Sequence, residues 1–179
     1  MRDDLTKNHF ELFGLPAEFD IDNAELASRY RELQRRFHPD RVAGASGQER
    51  RLSMQLTAQI NEAFQILKDP LKRGRYLLAL AGVETDEDTD TVMEPAFLME
   101  QMELREELEA IRERPNAHEQ LAKMGQDIAQ RRQVRLDQLK QHLASDDNGA
   151  YQTARNVLRE MQFLEKLSHE IDALEEELI

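Results

Sequence analysis

The sequence has no cysteine and no tryptophan, only 7 glycines and 5 prolines, and few aromatic residues. Without thiols the chain can form no disulfide, present no thiolate nucleophile and offer no cysteine ligand to zinc or to an iron–sulfur cluster. Nowhere do 18 apolar residues follow one another, and the charged start Met1-Arg2-Asp3-Asp4 leads into no apolar secretory segment, so a cytoplasmic protein without a membrane partner is expected. The histidines, His9, His38, His118, His142 and His169, are scattered, and no HExxH, GxSxG or P-loop spacing occurs. Neither a metal site, a cofactor site nor an enzymatic active site is expected.

What the chain does have is 40% apolar and 34% charged residues over 179 positions, with the apolar ones recurring at three- and four-residue spacing almost throughout. That pattern predicts an all-α protein, long enough for one large domain or two small ones. The net charge of −12 is unevenly distributed. Residues 1–76 hold 13 Lys and Arg against 12 Asp and Glu, whereas residues 77–179 hold 11 against 24. Phosphate backbones require clustered cations, so a nucleic-acid partner is not expected of so acidic a second half.

Helix signals divide the chain further. A short helix is predicted over Lys7 to Phe13, stopped by Gly14 and Pro16. Asp22 with Glu25 three places on predicts a capped start to a helix from Ala24 to Phe37, whose apolar stripe is Leu26, Tyr30, Leu33 and Phe37. Arg29, Arg31, Arg35 and Arg36 fall largely outside that stripe and form a basic exposed face. Pro39 ends the helix at His38-Pro39-Asp40. From Gln48 to Lys68 the stripe resumes through Leu52, Leu56, Ile60, Ala63, Phe64 and Leu67, predicting an antiparallel hairpin with His-Pro-Asp at its tip. A further helix, Leu71 to Ala81, follows the Asp69-Pro70 break. After the acidic run Glu84 to Thr91, three long patterns, Glu94 to Arg114, Ala117 to Ala144 and Gly149 to Glu177, predict an antiparallel three-helix bundle.

A His-Pro-Asp tripeptide alone is only a polar turn. Its context is more specific. The blocks Asn8-His9-Phe10-Glu11-Leu12-Phe13-Gly14-Leu15, Tyr30 through Arg41, and Ile60 through Arg73 resemble the J-domain family, in this order and over about the first 73 residues. That resemblance implies that His38, Pro39 and Asp40 engage a DnaK-class chaperone and trigger its ATP hydrolysis, and Arg29, Arg31, Arg35, Arg36 and Arg41 would complement an acidic chaperone surface. After Tyr76 the usual J-domain ending gives way to Leu77-Leu78-Ala79-Leu80, an apolar continuation that predicts packing of this helix against the C-terminal bundle and a fixed relation between the two domains despite the acidic connector. The expected organisation is a J-domain over 1–76, a connecting helix end and acidic linker over 77–92, and a three-helix bundle over 93–179.

In the bundle's first helix, at about 100° per residue, Phe97, Leu104, Leu108 and Ile111 gather on one side. Leu98, Met99 and Met102 gather on another, with Glu106 among them. One stripe enters the bundle. The other is either an exposed protein-binding patch or a second buried face, and periodicity alone leaves both open. Phe97-Leu98-Met99-Glu100-Gln101, Leu104 through Leu108, Phe163-Leu164-Glu165-Lys166-Leu167 and Phe10 through Pro16 resemble the HscB-type co-chaperones of iron–sulfur cluster assembly. With the J-domain blocks the similarity covers nearly the whole chain and, in the absence of a cysteine-rich metal module, is to the bacterial form. It implies an HscA-type chaperone and an IscU-type iron–sulfur scaffold as partners, the scaffold held at Leu98, Met99, Met102, Glu103, Glu106 and Phe163. Phe163 lies at the flank of its helix's apolar face, where it could equally be core. The alternatives are a J-domain protein with another client and a regulator acting through its acidic bundle. Burial of Leu98, Met99 and Met102 would favour them.

Overall fold

The computed structural model describes residues 3–37, 46–85, 94–145 and 147–178, and every regular element among them is helical. A single 3-10 turn, Asp3–Thr6, precedes seven helices: α1 (His9–Phe13), α2 (Asn23–Phe37), α3 (Gly47–Lys68), α4 (Pro70–Leu80), α5 (Pro95–Arg112), α6 (Ala117–Leu143) and α7 (Asn148–Glu177). They form two compact units, Met1–Leu80 and Ala81–Ile179.

Local chemistry sets the helix ends of the first unit. Asn8 caps α1, accepting the Glu11 amide while the Glu11 carboxylate accepts the Asn8 amide, both at 2.9 Å. This reciprocal box explains why α1 starts at His9 rather than at Lys7. Gly14 closes α1 with φ 65°, a left-handed conformation in which a side chain would be strained. At α2, Asp22 accepts the Ala24 and Glu25 amides at 2.7 and 3.2 Å, and Glu25 turns to Arg29 at 3.3 Å. A second full box, Ser46 with Glu49, starts α3. Asp69 accepts the Leu71 and Lys72 amides beside Pro70, so the Asp-Pro pair that ends α3 also starts α4.

Leu26 and Phe37 from α2 and Leu56, Ile60, Ala63 and Leu67 from α3 are buried in one cluster with Phe10, Leu12, Phe13 and Leu15. Tyr30, Leu33 and Phe64 pack at its edge, with the Tyr30 and Phe64 rings stacked at 4.0 Å. The helical hairpin expected from the two stripes is therefore present. Tyr76 and Leu77 of α4 pack on this same cluster, while Leu80 is 47% exposed. Arg73 is buried, with its guanidinium donating to the Leu67 carbonyl and lying 5.0 Å from the centre of the Phe19 ring. It ties the end of α3 to the α1–α2 connection.

His9 stacks on Tyr76 with ring centroids 4.2 Å apart, and the Tyr76 hydroxyl accepts the His9 backbone N–H at 3.0 Å. Burial holds the imidazole below its ordinary pKa, against a smaller opposing pull from the Glu62 carboxylate. The unfolded chain therefore takes up the proton first, and this residue's contribution to stability is lost as pH falls below about 6.5 toward the lower folded value. His9→Phe keeps a ring on Tyr76 and removes the proton. It is expected to flatten the decline of the urea midpoint between about pH 7 and pH 5; an unchanged decline would assign it to other groups.

In the second unit α6 and α7, about 40 and 45 Å long at 1.5 Å per residue, are joined by a short connection and pack antiparallel. The shorter α5 lies against both. Its Phe97, Leu104, Leu108 and Ile111 enter a core with Leu121, Met124 and Ile128 of α6 and Leu164, Leu167, Ile171 and Leu174 of α7.

Candidate functional site

The basic face of α2 is on the surface as its periodicity required, with Arg29, Arg31, Arg35 and Arg36 all exposed. Arg36 lies 5.0 Å from the Phe37 ring centre, and Arg35 donates through Nε to the Arg31 carbonyl at 3.2 Å. These contacts place the Arg35 and Arg36 guanidinium groups on the last turns of the helix. His38, Pro39, Asp40 and Arg41 lie outside the described residues. The hairpin brings the start of α3 to the same end, adding the exposed Arg50 and Arg51. Sequence reasoning passed over this pair because it precedes the apolar stripe, although its charge was visible.

On α5 the structure separates the two stripes. Phe97, Leu104, Leu108 and Ile111 are at most 8% exposed, whereas Leu98, Met99 and Met102 are 44, 62 and 63% exposed, with Glu103 and Glu106 in solvent beside them. Leu98 and Met102 are one turn apart, as are Met99 and Glu103, and Met102 and Glu106, so the five side chains share a contiguous face. Among apolar side chains, Met suits an irregular partner surface because it is unbranched and polarizable.

Phe163 requires a correction as a surface contact. It is 7% exposed, belongs to the core, and meets the Phe97 ring edge-on at 5.8 Å. The physical reason is that α7 is packed by α5 on one side and α6 on the other, so its buried arc is wider than one stripe. The Arg105 guanidinium lies over the Phe163 ring at 5.8 Å. Phe163 thus supports α5 from beneath.

Charged groups hold α5 laterally. Arg131 of α6 is paired with Glu100 of α5 and reaches Asp127 at 2.8 Å. These carboxylates raise the Arg131 pKa, Asp127 foremost through its hydrogen bond. Arg135 of α6 is paired with Glu160 of α7. Burial raises the Glu160 carboxyl above the usual carboxylate range, with Arg135 pulling it back and Glu100 and Glu94 of α5 adding to the rise. Such partly exposed pairs contribute little individually, about 0–1 kcal/mol, but the Arg131–Glu100 pair ties α5 to α6 and the Arg135–Glu160 pair ties α6 to α7. Among the described residues no group of His, Cys, Asp or Glu is arranged to hold a metal ion, and no helix is long and apolar enough to cross a membrane.

Residues 8–76 match the DnaJ domain, and residues 93–172 match the family described as the HSCB C-terminal oligomerisation domain. The co-chaperone protein HscB homolog of Vibrio vulnificus is 45% identical over 175 residues, covering 96% of this chain and 98% of the relative. The chain belongs to the HscB family of J-domain co-chaperones. This is the family that the motifs resemble, and the J-domain and helical C-terminal domain of the fold follow with it. The structure of the chaperone HscB from Vibrio cholerae superimposes with TM-score 0.85 at 40% identity, covering 97% of this chain and all (100%) of that one. Human co-chaperone protein HscB gives TM-score 0.84 at 31% identity, with coverage of 94% and 82%.

Proposed function

We propose that the chain stimulates ATP hydrolysis by an HscA-type, DnaK-class chaperone and delivers an IscU-type iron–sulfur scaffold to it in the cytoplasm. The carrying observation is the α5 face, where Leu98, Met99 and Met102 stand in solvent on a helix whose opposite face is already used by the core. An exposed apolar group rimmed by Glu103 and Glu106 suits a partner presenting apolar surface with basic residues around it. The α2 arginines and His38-Pro39-Asp40 serve the chaperone. The protein performs no covalent chemistry itself: it raises the scaffold's effective concentration at the chaperone and favours the chaperone's hydrolysing conformation.

Membership of the HscB family and the exposure of the α5 face support this reading over another client. The test is calorimetric titration with the apo scaffold together with steady-state ATPase assays of the HscA-type chaperone. The expected results are 1:1-type binding to the scaffold and stimulation by the full chain, with an apparent affinity for the chaperone that weakens as salt rises, because the Arg29, Arg31, Arg35 and Arg36 contribution is screened. Stimulation without scaffold binding would leave a J-domain co-chaperone with a different client. Absence of both would overturn the proposal.

A further inference from the structure

α2 ends at Phe37, the residue immediately before His38-Pro39-Asp40 in the sequence. A helix leaves its last carbonyls without intrahelical partners, and Pro39 has no N–H with which to satisfy one. α3 supplies donors instead. The Ser53 hydroxyl donates to the Phe37 carbonyl at 2.7 Å, and the Thr57 hydroxyl lies 3.1 Å from the same oxygen. Thr57 is also 2.8 Å from the Ser53 carbonyl, so its one proton is divided between two acceptors and Ser53 provides the firmer hold. Ser53 is 0% exposed and sits in line with Leu56 and Ile60, at a position on α3 where an apolar residue would fit the stripe. A buried hydroxyl is unfavourable unless it is bonded, and this one is bonded to the final carbonyl of α2.

A separate contact joins the hairpin one to two turns away. The Tyr30 hydroxyl and the Gln34 amide donate to the Asn61 side chain at 3.0 and 3.1 Å, beside the Tyr30–Phe64 stack. This contact and the apolar cluster hold α2 to α3 without help from Ser53. The Ser53 and Thr57 bonds to the Phe37 carbonyl act at one point only, the place where the chain leaves α2.

We infer that Ser53 and Thr57 are positioning residues for chaperone stimulation: by fixing the Phe37 carbonyl to α3 they set the point and direction from which the chain continues into His38-Pro39-Asp40. The inference rests on the J-domain stimulation proposed above. The hydroxyls touch no partner; they act through Phe37. Losing them should therefore impair the stimulated step and spare the docking that the α2 arginines provide.

The test uses the full chain with an HscA-type chaperone, in ATPase titrations carried to saturation. Ser53→Ala/Thr57→Val should lower maximal stimulation about three- to tenfold, the size expected for one or two lost hydrogen bonds, with the half-saturating concentration within about twofold of wild type. Thr57→Ser keeps its hydroxyl and should retain the wild-type maximum. Tyr30→Phe removes a hydroxyl from the other inter-helix contact and should also retain it. Circular dichroism and the thermal midpoint report folding, and if the double variant is unfolded, Ser53→Ala alone should show the same fall to a smaller extent. An unchanged maximum in the folded Ser53→Ala or double variant overturns the inference, as does an equal fall in Tyr30→Phe. A wild-type chain that fails to stimulate instead refutes the reading beneath it.

Discussion

Replacing Leu98, Met99 and Met102 together by alanine is expected to weaken binding of the IscU-type scaffold by about 100- to 1000-fold, read by calorimetric titration. Roughly three heavy atoms beyond Cβ leave with each side chain, and burial of apolar groups contributes about 0.8 kcal/mol per methylene-sized unit. Half-burial of all three in the complex gives about 3–4 kcal/mol, which corresponds to that range in Kd. The same substitutions should barely affect folding. The three side chains are 44, 62 and 63% exposed and alanine is the best helix former, so each substitution should move the unfolding free energy by no more than about 0.5 kcal/mol. A comparable loss of stability would mean that this face is covered in the native protein. Retention of tight binding would place the scaffold on another surface.

The division of α5 into two faces was legible in the sequence because the helix is simple: 100° per residue sorts Phe97, Leu104, Leu108 and Ile111 from Leu98, Met99 and Met102, and one core-facing arc suffices. Phe163 was not legible in the same way. Its helix is covered on two sides, so a flanking position one residue from Leu164 is as buried as the stripe itself. The hairpin followed from the apolar spacing of α2 and α3, but two buried groups of the first unit carried no apolar signal. Ser53 is a polar residue on a stripe, and its burial follows from the carbonyl that α2 leaves unpaired, which is information held by another helix. Arg73 is similar. Its charge suggests solvent, yet the Leu67 carbonyl, the Phe19 ring and nearby Asp20 and Asp69 compensate a burial that lowers its pKa. The boxes at Asn8-Glu11 and Ser46-Glu49 were written in the sequence at the correct three-residue spacing, and each starts its helix one or two residues from the apolar estimate. Periodicity locates helices, whereas hydrogen-bond accounting locates their ends.

Asp40→Asn is expected to reduce maximal stimulation of the chaperone by about 10- to 150-fold and to leave scaffold binding unchanged. The magnitude is that of a charge-assisted hydrogen bond, about 1.5–3 kcal/mol, because the amide preserves the shape of the side chain while removing its charge. Such a bond outweighs an exposed ion pair only when the partner's cation is desolvated, so the prediction assigns Asp40 a buried contact, with an arginine as the fitting partner. The α2 arginines should behave differently. Arg31→Ala/Arg35→Ala should raise the half-saturating concentration and make it less salt-dependent, yet restore nearly full stimulation once enough protein is added, because exposed charges steer and orient rather than trigger. With Asp40→Asn no concentration should restore the maximum. If both variants recover fully at saturation, Asp40 contributes only to docking and the trigger lies elsewhere in the J-domain. If neither recovers, the arginine face is itself part of the stimulated state.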